Sequence, residues 1–104
     1  MSKFKLILTY IDSNEKADEI AKKLVEEKLV ACVGIWPCRS VYWWQDKIEK
    51  NENELIMQFK AKESLVDEII KRIKELHPYD LPVIDVIDTV LNKEAEEWLD
   101  EVTK

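Results

Sequence analysis

Glycine is almost missing from this chain: 104 residues hold one, Gly34. A P-loop or a dinucleotide fingerprint needs several glycines where backbone closes on phosphate, so both are excluded. Two cysteines and one histidine are too few for a Cys/His zinc cluster or a disulfide framework. With three prolines beside the single glycine, little of the chain is built as linker. Positive charge is the minority sign, 16 Lys and Arg against 22 Asp and Glu, for a net charge of −6. That balance argues against a nucleic-acid partner, and no basic cluster interleaves with the aromatics as such binding needs. No apolar run approaches the ~20 residues of a membrane span, and the opening MSKFKLILTYID lacks a signal-peptide apolar core and cleavage site. A soluble, cytoplasmic protein is expected, with no membrane partner. It should form one domain over residues 1–104, burying roughly 65% of its unfolded surface. A charged fraction of 37% with so little glycine also suits a thermostable chain.

What is present concentrates in one stretch. Leu29 to Glu49, LVACVGIWPCRSVYWWQDKIE, carries both cysteines, the glycine and three of the four tryptophans, and reads as extended chain. It continues through a polar patch, Lys50 to Asn53, into a second strand-like run, Leu55 to Phe59. Folding back near Gln45 and Asp46 gives arms of about 15 residues, far beyond the usual ~5–6. A two-stranded ribbon of that length cannot bury its own tryptophans, and a free edge invites pairing. Its expected use is to hold copies of the chain together, with Trp36, Tyr42, Trp43 and Trp44 as interface anchors. Any site is then expected between subunits.

Cys32 and Cys38 lie six positions apart on this segment, ~20 Å at ~3.3 Å per residue. A bridge needs less than ~7 Å between Cα atoms, so an intrachain disulfide is not expected without a sharp bend. The same distance keeps both thiols of one chain from a single metal. Pro37 can bend the strand or seed a bulge but cannot close that gap.

Elsewhere the periodicities alternate. Phe4, Leu6, Leu8 and Tyr10 repeat at period two, with Ile7 and Ile11 on the other face, as in an inner strand covered partly on both sides. Asp12, Ser13 and Glu15 signal a helix start, Asp12 and Glu15 at capping-box spacing. Ala17, Ile20, Ala21, Leu24 and Val25 then mark one helix face. After the ribbon, Ser64 with Asp67 opens a second helix bearing Val66, Ile69, Ile70, Ile73 and Leu76, stopped by Pro78 just after His77. Pro82 to Val90 reads as a fourth strand, and Asn92 caps a short final helix with Ala95, Trp98, Leu99 and Val102 inward. The order βαββαβ plus a short C-terminal helix, with right-handed crossovers, predicts an α+β fold. It is the ferredoxin-like split βαβ sandwich, an antiparallel sheet in order 4-1-3-2 with an extended ribbon between its second and third strands. Both long helices should cover one sheet face, leaving an aromatic and aliphatic face for another subunit.

ACV at Ala31 to Val33, YWW at Tyr42 to Trp44, KIE at Lys47 to Glu49 and HPYDLP at His77 to Pro82 occur in that order. Together they resemble the CutA family of divalent-cation tolerance proteins over nearly the whole chain. The resemblance implies a ferredoxin-like subunit, a compact homotrimer joined by strand pairing, and a link to copper tolerance. It also implies an inter-subunit pocket in which Lys60, Tyr79 and Asp80 take part. Departures from the family pattern are Gly34 where Asn is frequent, Asp46 in place of a glycine, Ala61 in place of a threonine and Val83 in place of a glutamate. Thr9 and Leu76 stand where some members carry a thiol and a second histidine discussed as copper ligands.

Three residues are metal candidates. His77, the only imidazole, could ligate Cu(II); a His in the last helical turn before proline can instead cap carbonyls, and without a clear co-ligand the residues favour capping. Cys32 could serve Cu(I), though between Ala31 and Val33 it reads as a small hydrophobe. Cys38, between Pro37 and Arg39, is expected to be the more exposed and reactive thiol. Tyr79 and Asp80 either line the crevice or simply form a turn before Pro82. No nucleophile, base or cofactor motif is present, and Ser40, His77 and Asp80 make a Ser-His-Asp set only on paper, so no enzymatic activity is expected. Acylphosphatases share the predicted fold but cradle phosphate in a glycine-rich loop that this chain cannot build. The expectation is a trimeric, non-catalytic metal-response protein binding divalent ions, copper above all, with no metal needed for folding. The alternatives are a small-ligand sensor similar to PII-type proteins, or a rigid trimeric scaffold that docks a partner protein.

Overall fold

The computed structural model describes residues 3–104; the first two positions of the expected domain lie outside the described residues. Strand β1 (Phe4–Ile11) leads to helix α1 (Asn14–Glu26), and β2 (Cys32–Trp44) turns into β3 (Lys47–Lys62). A 3-10 turn (Glu63–Leu65) opens helix α2 (Val66–Leu76), followed by β4 (Ile84–Thr89) and helix α3 (Lys93–Val102). The strands form one antiparallel sheet in the order β2-β3-β1-β4, the expected ferredoxin-like order counted from the other edge.

Register decides which face becomes the core. Ile7 pairs with Phe59 and Thr9 with Met57, and all four are buried. Ala17, Ile20 and Leu24 of α1 and Ile69 and Ile73 of α2 are likewise buried, the first three and last two in one cluster with that sheet face. Each fully buried aliphatic contributes ~1.5–3 kcal/mol. The period-two set Leu6, Leu8 and Tyr10 instead occupies the opposite face and is only half-buried. Thr9 disguises the core face of β1, because its hydroxyl donates to the Val83 carbonyl at 2.8 Å and so tolerates full burial. Phe4 and Leu99 are buried outside the main cluster.

Three helix starts differ in detail from expectation. Ser13, not Asp12, caps α1: its Oγ accepts from Lys16 N–H at 3.1 Å, so the Asp12–Glu15 spacing goes unused. Ser64 falls inside the 3-10 turn, and α2 begins after Leu65 without a side-chain cap. Asn92 holds the cap position of α3, yet its side chain donates to Glu94.

Scarcity of glycine leaves three non-glycine residues among the described ones with left-handed backbone, Lys28, Gln45 and Asp46. Lys28 closes α1 in a Schellman pattern, its N–H donating to Val25 O and that of Leu29 to Leu24 O. This turn buries Leu29 and Val30 before the ladder starts, so β2 begins at Cys32 rather than Leu29. β4 is also shorter than expected: Pro82 cannot donate to a ladder, and the Val83 carbonyl is taken by Thr9.

The hairpin turns at Gln45 and Asp46, with φ of 52° and 64°, directly after the Trp44–Lys47 pair. Two left-handed residues make the turn whose twist matches the flanking strands. Two steps from Cys38 to Ser40 oppose three from Glu54 to Asn51, a bulge on the β3 side. β1 ends opposite Leu55, so the ribbon beyond that point has only two strands and gives the protomer extents of 45 × 26 × 22 Å. Exposure follows: Val41 is 67% accessible, Trp43 72% and Ile48 62%.

Candidate functional site

Where the ribbon leaves the sheet, the loop after α2 folds against it. His77 ends α2, its N–H donating to Ile73 O at 2.8 Å, and Pro78 prevents continuation. The His77 ring is used twice. Nδ1 accepts from Tyr79 N–H at 3.1 Å, so Nε2 carries the proton and donates to Tyr10 O at 2.8 Å. The imidazole therefore braces the loop against β1, whereas the expected capping of helix carbonyls is done by the backbone alone. It is 8% exposed, and burial lowers its pKa, opposed by the Tyr10 carbonyl. Its ring meets that of Tyr79 nearly edge-on, centroids 4.7 Å apart.

Tyr79 reaches across to the ribbon. Its hydroxyl donates to Glu54 Oε2 at 2.9 Å, and the Ser40 hydroxyl donates to Oε1 of the same carboxylate. Burial raises the Tyr79 pKa first, the bond to Glu54 second, and the charges of Glu54, Asp12 and Tyr42 add to it. Tyr10 donates to Asp85 at 2.8 Å, and chiefly for that reason its pKa is pushed up to about 12. Between ribbon and loop lies a crevice of about 600 Å³. Tyr42, Trp43 and Trp44 stand on its ribbon side and Tyr79 and Asp80 on its loop side; Tyr10, Asp12, Ser40 and Glu54 also line it, with Val41, Pro78, Leu81 and Val83 as further apolar wall.

The expected site residues separate into groups. Tyr79 and Asp80 meet Tyr42, Trp43 and Trp44 at the crevice. Lys60 does not join them: it pairs with Cys32 and Leu6 on the open sheet face, six positions along β3 from Glu54. Trp36 lies on that same face opposite Ile56. Cys32 and Cys38 are free thiols, both half-buried, so the expected contrast in exposure is absent; Cys38 Sγ lies 3.7 Å from Ser40 Oγ. His77, Cys32 and Cys38 are not brought together. Among the described residues no group of three or more His, Cys, Asp or Glu is placed to hold a metal, so the side chains of one protomer do not by themselves fit one. Glu54 was not foreseen as a site residue, because a glutamate at the end of a polar patch reads as solvated; its partners Ser40 and Tyr79 lie 14 and 25 positions away. No helix among the described residues is long and apolar enough to cross a membrane.

The family model of the CutA1 divalent ion tolerance proteins matches residues 5–102. The chain belongs to the CutA family. It is 40% identical over 100 residues to the divalent-cation tolerance protein CutA of Pyrococcus horikoshii, covering 95% of this chain and 97% of that one. The CutA structure from Archaeoglobus fulgidus, described as periplasmic, superposes with a TM-score of 0.93 at 36% identity over 97% of this chain and 99% of that one. The Thermus thermophilus protein gives a TM-score of 0.90 at 37% identity over 97% and 99% of the two chains.

Proposed function

We propose that this chain works as a homotrimeric, non-catalytic divalent-cation tolerance protein whose physiological metal is copper. The ribbon carries the reading. Its outer half exposes Val41, Trp43 and Ile48 on two strands, a surface that monomeric proteins seldom leave in water and that a copy of the chain can cover. Free thiols suit the cytoplasm as its compartment. The metal reading rests on the family, and the hydrogen bonds of the candidate donors bear on the choice among them. His77 has both ring nitrogens engaged, so binding through it requires breaking a hydrogen bond to Tyr79 or Tyr10. Cys38 and Cys32 keep their sulfurs free of such strong partners, which favours Cu(I) at thiolate over Cu(II) at imidazole. A sensor of nucleotides similar to PII-type proteins is disfavoured by the two-residue turn in place of a long flexible loop and by the acidic crevice.

Competition with a Cu(I) chelator tests the donor assignment. Binding should be lost in Cys38→Ser or in Cys32→Ser, one of the two and not both, and retained in His77→Gln. Loss only in His77→Gln, or copper uptake no tighter than that of zinc, would contradict the reading.

A further inference from the structure

Glu54 is the anomaly of the crevice. It is 5% exposed, and its two oxygens are met only by the hydroxyls of Ser40 and Tyr79. Every ion pair of the described residues lies elsewhere in the fold, so no cation stands within 4.0 Å of this carboxylate. Hydroxyl donors satisfy both oxygens of this carboxylate but carry no charge, so a cation would be its first charged partner. The walls around it tell what kind of cation. Asp12 and Asp80 add negative charge, and among the described residues no Lys, Arg or His of the same protomer lines the space. Tyr10, Tyr42, Trp44 and Tyr79 supply aromatic rings, whose electron-rich faces attract weakly hydrated cations.

We propose that this crevice binds a small organic cation, an alkylammonium or guanidinium head group, with Glu54 as its buried counter-charge. A compact divalent ion is the poorer occupant, because it demands several hard ligands in close array and no such group is assembled here. Phosphate-bearing ligands meet three carboxylates and no cation. A neutral apolar ligand would leave Glu54 without a counter-charge. The volume of about 600 Å³ accommodates such a head group and several attached carbons. The proposal goes beyond the copper reading and stands without it.

Choline and its uncharged isostere 3,3-dimethyl-1-butanol make the direct test, read by calorimetry and by the emission of the crevice tryptophans. Choline should bind saturably, with the isostere about ten-fold weaker or more. Glu54→Gln, which keeps shape and can still accept from Tyr79, should lose about ten-fold in choline affinity. Asp12→Asn, at an exposed position where folding is not at risk, should lose a few-fold. Equal affinity for choline and the isostere would overturn the proposal, as would magnesium binding as tight as that of choline. So would a wild type that ignores choline while Glu54→Gln lowers the assembly mass; a Lys or Arg of a second copy would then be the occupant. Particle mass recorded on the same samples separates the outcomes, since a trimer without cation selectivity defeats this inference and leaves the assembly reading intact.

Discussion

At the end of the sheet where β1 runs between β3 and β4, Ile7, Ile11, Met57 and Phe59 are buried beneath α1 and α2. At the other end Val41, Trp43 and Ile48 stand on two strands and remain largely exposed. The same two strands, β2 and β3, serve both ends, with the bulge opposite Cys38 and Ser40 near the boundary. Residues of similar hydrophobicity thus have opposite fates according to whether a third strand and a helix lie beside them. Beneath the helices the sheet buries its apolar side chains within one chain, whereas the ribbon half leaves its own largely exposed.

The widest separation between the halves should appear in paired truncations. Phe59→Ala removes a fully buried ring and should cost ~3–5 kcal/mol in denaturant unfolding. Trp43→Ala should change the stability of a single chain by no more than ~0.5 kcal/mol and instead lower the assembly mass. A Trp43 variant that unfolds the chain without altering assembly breaks the comparison.

At the boundary, Tyr79→Phe strips one donor from buried Glu54 and should cost ~1–3 kcal/mol by thermal or chemical unfolding. His77 tests the same joint through pH. Burial holds its folded pKa below the unfolded value near ~6.5, so its contribution is complete above that pH. As pH falls below it, the unfolded state takes up the proton first and stability declines until the folded pKa is passed. The His77→Gln variant should lose that slope; a wild-type curve flat from neutral to mildly acid pH would remove His77 as a brace.

Two substitutions to glycine sharpen the contrast with opposite sign. Lys28→Gly in the α1 turn and Asp46→Gly in the hairpin each relieve a left-handed backbone and should stabilise by ~0.5–1 kcal/mol. The first should register in the unfolding of any oligomeric state. The second should register only where assembly folds the ribbon cooperatively with the core. The smallest effect belongs to Gly34→Ala: the new Cβ meets Trp36 at 3.7 Å, an ordinary contact, so melting should shift by less than ~0.5 kcal/mol.

Strand order was legible because each βαβ crossover has one favoured hand, and the ribbon because aromatic and β-branched residues run unbroken to Gln45 and Asp46. Less legible was which face of β1 points to the helices, since Thr9 enters the core through a bond to Val83, 74 positions away. The site divides similarly. Tyr79 and Asp80 could be read from HPYDLP, whereas Glu54 depends on hydroxyls 14 and 25 positions distant. Lys60 lies outside the crevice of one protomer, and the pocket expected for it lies between subunits.

Light scattering on a sizing column at micromolar concentration and neutral pH tests the central claim, that the ribbon half is completed by other copies of the chain. The account predicts a single species of three times the 12.3 kDa chain mass. A stable 12.3 kDa monomer with its ribbon intact would contradict it.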